Sequence, residues 1–257
     1  MQGWRPRELL CVGFLLLSLE IGATRGGGAE DGDLITDADM ERCHGLFDEQ
    51  LPDVHPDGHT WTELKRGIPE GMRVWGKLVE GTDVFSFRVA GQLRGVSVEG
   101  LIKTMEPSDY AERHEWDPTC LRLDKIASQG DNDIFVWLVD FPWPLFDREY
   151  VMRRRLDRHP HGGATSISRI VANSTGVLGH DANYVRISDF VQLATARPMD
   201  DGNGSAFHLF YRNDLNAPMP LWLVKWFSQT ALPAYLSKIK SQSIHFTQAL
   251  LNAAGAA

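Results

Sequence analysis

The sequence predicts an α+β domain: a mostly antiparallel sheet with helices at both ends and one helical pair inserted. Short segments that alternate apolar and polar residues, separated by Gly, Pro, Asn and Asp clusters, fill the middle of the chain. Capped helix-period segments lie before and among them, and an unusually apolar helical stretch closes the chain. The spacing of parallel strand–helix–strand units is absent.

In chain order, Thr36 or Asp37 is placed to cap a helix over 36–50, with Met40, Cys43, Leu46 and Phe47 on one face and Pro52 and Pro56 beyond its end. Strands are expected over 60–65, 72–78 and 83–93. In the last, Phe85, Phe87 and Val89 alternate with Ser86, Arg88 and Ala90, which makes one face apolar and the other mixed. Ser97 caps a helix carrying Val98, Leu101, Ile102 and Met105, and Ser108 caps a second that runs to Trp116. Further strands are expected over 121–127, 133–141, 149–156, 165–172, 184–194 and 205–212. The closing helix opens near Pro220, with Leu221, Trp222, Val224, Trp226 and Phe227. Pro233 is expected to kink or split it.

Of the 257 residues, 43% are hydrophobic and 23% charged, enough for one large core behind a short leader. A net charge of -8 excludes bulk attraction to nucleic acid, which needs a basic footprint. Arg5 and Arg7 precede an apolar run over 9–19 and the small residues Gly22 and Ala23, the layout of a secretory signal peptide. The run is shorter than the roughly 20 residues that span a bilayer. Residues 1–24 are therefore taken as a leader, 25–35 as a Gly-rich linker and 36–257 as the folded domain. This predicts a secretory or extracellular protein, where the sequons at Asn173 and Asn203 would matter; a cytoplasmic, membrane-associated protein is the alternative. Cys11, Cys43 and Cys120 lack metal-site or disulfide-framework spacing, and a Cys43–Cys120 bridge is left open.

Catalytic signatures are missing: no Gly-rich phosphate loop, no Gly-x-Ser-x-Gly elbow and no His-Glu-x-x-His. No enzyme, cofactor or metal is expected. His159 and His161 flank Pro160 without further ligands and read as a solvated turn. Asp109, Glu112, Glu115 and Asp117 around Trp116 read as helix capping and surface charge. The run Arg153, Arg154, Arg155 and Arg158 reads as alternating exposed charge with one arginine paired inside, against contact with anionic headgroups.

The segment from Phe135 to Tyr150 is the most informative. A strand apolar on both faces enters an aromatic, proline-stiffened loop and returns as another strand. With Arg113-x-x-Trp116-Asp117 before it and Pro220-Leu-Trp222-Leu-Val-Lys-Trp226 after it, this order resembles the START (StAR-related lipid transfer) domain family over about 61–246. The resemblance implies a helix-grip fold, in which a curved antiparallel sheet wraps a long C-terminal helix and encloses a tunnel for one lipid. The gate would be the loop 141–147 with Phe141, Trp143, Leu145 and Phe146 exposed to a transient membrane surface, together with the closing helix at Trp222 and Trp226.

Within the family, the segments at Phe135, Asp147 and Val185 resemble the phosphatidylcholine-carrying branch. That resemblance implies an aromatic cage for choline at Trp137, Tyr150 and Phe190, the last standing where the family pattern has tyrosine. A quaternary ammonium has no N–H to donate, so cation–π contact is the fitting chemistry. Arg113 matches the phosphate-binding arginine. Gln192, two residues beyond Phe190 on the same strand face, would hydrogen-bond the polar part of the lipid, and Arg186 shares that face unless a bulge intervenes. The function implied is transfer of a phospholipid, phosphatidylcholine first. A lipid-gated interaction module and a helix-grip cyclase or hydrolase are the alternatives.

Overall fold

The computed structural model describes residues 34–47, 61–64, 67–78, 85–141, 145–179, 181–214, 216 and 227–255. Helix α1 (Asp37–His44) starts at a reciprocal cap, in which Thr36 Oγ1 accepts from the Asp39 amide at 3.3 Å and Asp39 Oδ2 accepts from the Thr36 amide at 3.0 Å. The α-helix gives way to a tighter turn over Gly45–Phe47, and residues 48–50 of the expected helix lie outside the described residues. Leu46 is buried, and Phe47 lies against His208 at 4.9 Å and beneath Arg197 at 4.5 Å, so tertiary contact sets the end of the helix.

Strands β1 (Thr62–Leu64), β2 (Met72–Leu78) and β3 (Phe85–Arg94) lead to helices α2 (Val98–Met105) and α3 (Tyr110–Trp116). Ser97 caps α2 as expected; α3 is capped one residue later than Ser108, by Asp109, whose Oδ1 accepts from the Glu112 amide at 2.8 Å. Next come β4 (Cys120–Gln129), β5 (Asn132–Val139), β6 (Arg148–Arg158), β7 (Ala164–Ile170), the single turn α4 (Ser174–Val177), β8 (Val185–Arg186), β9 (Asp189–Pro198) and β10 (Gly204–Asp214). They form one sheet in the order β1-β2-β3-β10-β9-β7-β6-β5-β4, antiparallel throughout, except that β8 pairs with the start of β6 in parallel. Strand β4 ends the order. Only Cys120 and Leu123 are buried along it, and its pairing with β5 shifts register at Cys120/Arg122 and again at Lys125/Ala127.

The closing helix α5 (Leu232–Gly255) follows a π-helical turn at Phe227–Ala231. Pro233 thus lies in the first turn of α5, where its missing N–H does least harm, and the wider turn sits just before it. Residues 220–226, with Trp222 and Trp226, lie outside the described residues, as does Trp143. Leu232, Tyr235, Leu236 and Ile239 on α5 join the main core with Phe87 and Val89 from β3 and Phe207 and Tyr211 from β10. A helix gripped by an antiparallel sheet is thereby formed. No helix among the described residues is long and apolar enough to cross a membrane.

The outer face of the sheet is covered as well. Strand β5 is apolar on both faces because Ile134 and Val136 pack outward with Val151, Val171 and Leu178, beneath the excursion that carries α4. Arg186 fastens this excursion: it donates to the carbonyls of Ser174, Leu178 and Gly179 and pairs with Glu149, its Nε 2.8 Å from Oε2. The expected strand 184–194 is broken at Ile187–Ser188, so face parity does not carry from Phe190 back to Arg186. Arg186 therefore serves the outer face and not the cavity. Cys43 and Cys120 are free and buried. The Cys43 thiol lies 3.8 Å from the carbonyls of Ser166 and Ala194, and burial pushes it up to about 12.

Helices α2 and α5 meet through small residues. The Ser97 amide donates to Thr247 Oγ1 at 3.0 Å, Ser243 Oγ donates to Thr104 Oγ1 at 3.1 Å, and a methyl at Gly100 would lie 2.3 Å from Thr247 Oγ1 and 2.9 Å from the Ser243 carbonyl. A Gly100→Val variant is therefore expected to lose about 1–3 kcal/mol of stability through overpacking, despite the helix preference it gains, with urea denaturation as the measurement.

Candidate functional site

The grip leaves space between helix and sheet. A cavity lies between α5 and strands β2, β3 and β10, walled by Phe87, Val89, Phe207, Leu209, Leu236 and Ile239 among others, with Gln192, Tyr211 and Tyr235 as its polar positions. A second, smaller cavity is different in kind. Arg113, Arg154, Ser168 and Gln192 share its wall with Trp137, Phe190, Leu123 and Met152. Met105 and Gln192 line both, so the two spaces adjoin. An apolar chamber beside a small polar one suits an amphipathic ligand with its chains in the first and its head in the second.

The sheet brings the polar chamber together by parity. On β5, Phe135 and Trp137 face inward; Trp137 stands opposite Tyr150 on β6, and the same face of β6 continues through Met152 to Arg154. Phe190 and Gln192 share one face of β9, where Gln192 is flanked by Ser168 of β7 and Tyr211 of β10. Trp137, Tyr150, Phe190 and Tyr211 form a row of rings, with successive centroids 5.1, 5.4 and 5.4 Å apart. Tyr150 is enclosed within this row, and its hydroxyl accepts from Asn213 Nδ2 at 2.7 Å. Enclosure holds its phenol proton well above the ordinary tyrosine range. Trp137 and Phe190 are the members of the expected cage that reach the chamber wall; Tyr150 backs them from the core.

Arg113 is 1% exposed. Its Nη2 donates to Asp117 Oδ2 at 2.5 Å and to the Tyr235 hydroxyl at 3.1 Å, and Nη1 donates to the Thr104 carbonyl at 3.3 Å. The guanidinium lies over Trp116 at 4.1 Å and within 5.9 Å of the Trp137 centroid. Although burial alone would favour neutrality, Tyr235 and Asp117 hold its pKa above the ordinary arginine value. Four residues apart, Arg113 lines the chamber and Asp117 pairs with it from behind. Asp117 is thus more than a capping charge: its other oxygen accepts from Thr119 Oγ1 at 2.6 Å. Its neighbours behave as expected of surface acids, Asp109 capping α3 and Glu112 pairing with Lys103 at 2.6 Å.

Sequence reasoning missed the partner charges. Arg154 is the arginine of the run that turns inward: its Nε lies 2.9 Å from Glu106 Oε2 and 3.2 Å from Ser168 Oγ, and its Nη1 donates to the Pro107 carbonyl at 2.7 Å. Arg155 pairs with Asp157 on the other face, and Arg158, at the exposed end of the strand, pairs with Glu99 of α2. Glu106, at the end of α2, also accepts from Gln192 Nε2 at 2.5 Å. Counting residues inward from Tyr150 would have exposed Arg154; nothing in the local sequence marks Glu106. Among the histidines, His159 lies tilted against His44 at 4.6 Å with its Nε2 2.9 Å from Thr165 Oγ1, away from both chambers.

At the proposed gate, Phe141 is 4% exposed and packs in the main core beneath Arg148, at 4.8 Å. Its expected exposure is corrected: the Phe141 amide donates to Asp147 Oδ1, which folds the loop end back and carries the ring inward. Leu145 is partly buried against the core, while Phe146 is 71% exposed.

Fold and chambers together define a helix-grip protein built to enclose an amphipathic molecule. The family profile described as START domain matches residues 48–248, and the chain belongs to that family. Human phosphatidylcholine transfer protein is 28% identical over 77% of this chain and 94% of its own length. Human StAR-related lipid transfer protein 7, mitochondrial, is 23% identical over 65% of this chain, which spans 46% of that relative. The crystal structure of human STARD10 superposes with a TM-score of 0.67 at 16% identity, covering 86% of this chain and 84% of that one. General lipid binding and transfer, without catalysis, is the role this membership carries.

The same relatives correct the reading of the leader. StAR-related lipid transfer protein 7 is a mitochondrial protein by name in both human and mouse, which overturns the expected secretory or extracellular location. A basic and apolar N-terminal pattern is common to several kinds of targeting segment, and the pattern at residues 1–24 did not separate them.

The buried pair makes a direct prediction. Asp117→Ala leaves the Arg113 charge enclosed without its carboxylate and is expected to lower unfolding stability by about 3–5 kcal/mol, measured by urea denaturation; Glu115→Ala, its surface neighbour, is expected to stay within about 0.5 kcal/mol of wild type.

Proposed function

We propose that this protein carries a single phospholipid, with phosphatidylcholine as the favoured cargo. The observation that carries this reading is the adjoining pair of chambers. The larger offers acyl chains an almost wholly apolar wall, and the smaller sets two guanidinium groups and two aromatic faces around one space. Phosphate is matched by Arg113, whose donors are fixed before the ligand arrives. Trimethylammonium has no hydrogen to donate and is matched by the rings of Trp137 and Phe190, with Tyr150 supporting them and Gln192 beside them. Similarity to phosphatidylcholine transfer protein supports the same choice. Phe146, with Leu145 behind it, is the proposed point of membrane contact, and Trp143, Trp222 and Trp226 are assigned to the gate from sequence.

A second reading is favoured by one observation. In StAR-related lipid transfer protein 7 the matched region accounts for less than half of the protein, so there the domain is one part of a longer chain. A lipid-gated interaction module, in which occupancy alters contact with another protein, would use the same chambers.

Vesicle-to-vesicle transfer separates the readings and tests the cage. The wild-type protein is expected to move phosphatidylcholine between vesicles, and Trp137→Ala to slow that transfer about ten-fold or more, the loss of roughly one strong cation–π contact. Binding of the lipid without transfer would favour the interaction module. Co-purification of sterol or ceramide in place of a choline lipid, identified by mass spectrometry, would remove the cage assignment.

A further inference from the structure

The polar chamber is balanced in charge. Two cations line it, Arg113 and Arg154, and each is joined to a buried carboxylate, Asp117 and Glu106 respectively. Asp133, which also bears on Arg154 electrostatically, has its carboxylate paired with Lys125 at 3.1 Å on the solvent side. Among the described residues, the charges of the chamber and its direct partners thus sum to zero. In an enclosed, weakly polarisable space such a balance has a consequence for ligand choice, because a headgroup carrying net charge enters without a counter-charge whereas one carrying equal charges of both signs does not.

Glu106 governs this balance. Its side chain is fully enclosed, and it reaches three chamber residues at once: Oε2 meets Arg154 and accepts from Ser168 Oγ at 3.5 Å, and Oε1 accepts from the Gln192 amide. A carboxylate accepts only, so Gln192 is oriented with its Nε2 turned to Glu106 and its carbonyl oxygen turned away. The arrangement leaves Arg154 neutralised but still placed on the wall.

Resting on the phospholipid reading above, we propose that Glu106 is the specificity-determining residue of the polar chamber, acting through Arg154 and Gln192. By cancelling the second cation, it restricts the cargo to zwitterionic phospholipids and turns away headgroups of net negative charge. Removing its charge should convert the chamber from neutral to net positive and open it to anionic lipids.

The test uses the full chain, loaded from vesicles with equal amounts of dioleoylphosphatidylcholine and dioleoylphosphatidylglycerol, which share their acyl chains, followed by mass spectrometry of the bound lipid. Wild type is expected to take the choline lipid about ten-fold or more over the glycerol lipid. Glu106→Gln is expected to move that ratio about ten-fold toward the glycerol lipid, and the double variant Glu106→Gln with Arg154→Gln, neutral again, to move it back. A ratio unchanged in Glu106→Gln overturns the proposal, as does a ratio that stays shifted in the double variant, since the effect would then be one of shape. Equal loading of both lipids by wild type overturns it without any variant. Loading of neither lipid defeats the phospholipid reading itself.

Discussion

Burying a guanidinium is tolerable only when its charge and its donors are answered, and the arrangement around Arg113 shows how much of this fold is organised to do so. The answer comes from separate parts of the chain: Asp117 one helical turn away, the Tyr235 hydroxyl from α5 and the Thr104 carbonyl from α2. The π face of Trp116 adds to them. The closing helix is therefore held to the inserted helical pair by a polar contact inside an otherwise apolar interface, and by the packing of Gly100 against Thr247. Position of the helix sets the size of the larger chamber; position of the arginine sets the chemistry of the smaller one. Docking of the helix and the chemistry of the smaller chamber thus depend on the same atoms.

Much of the architecture was legible because strand alternation and capping chemistry are local. The caps at Thr36 and Ser97 and the inward face of Phe87 and Val89 follow from residues close in sequence. What failed to show was set at a distance. Helix α1 ends early because Phe47 is captured by His208 and Arg197, both more than a hundred residues away. Arg186 left the lipid face because a break at Ile187–Ser188 reset the parity of the strand, and hydrophobicity gave no sign of it. Phe141 turned inward on a side-chain hydrogen bond that its aromatic surroundings did not suggest.

The candidate site divides the same way. Trp137, Phe190 and Gln192 stand on strand faces that two-residue periodicity identifies, and the structure brings them to one chamber wall. Tyr150 joins the group from behind, within the ring row, which makes it a support for the rings that line the chamber. Glu106 was invisible by contrast: a glutamate after a helix reads as a solvated end, and only the approach of β6 and β9 gives it two buried partners. Arg154 was hidden among identical neighbours, distinguished from Arg153 and Arg155 by parity alone.

A sheet that opens to wrap a helix does not close on itself, and among the described residues it ends in two rims. Strand β4 forms one of them, and along it lie Arg122 paired with Asp124, Lys125 paired with Asp133, and two register shifts that bend the backbone out of a regular ladder. A second copy arriving at this rim meets charge and a misaligned set of amides where continuous pairing would be needed. The irregularities of β4 thereby disfavour the edge-to-edge strand pairing that an open sheet rim otherwise invites.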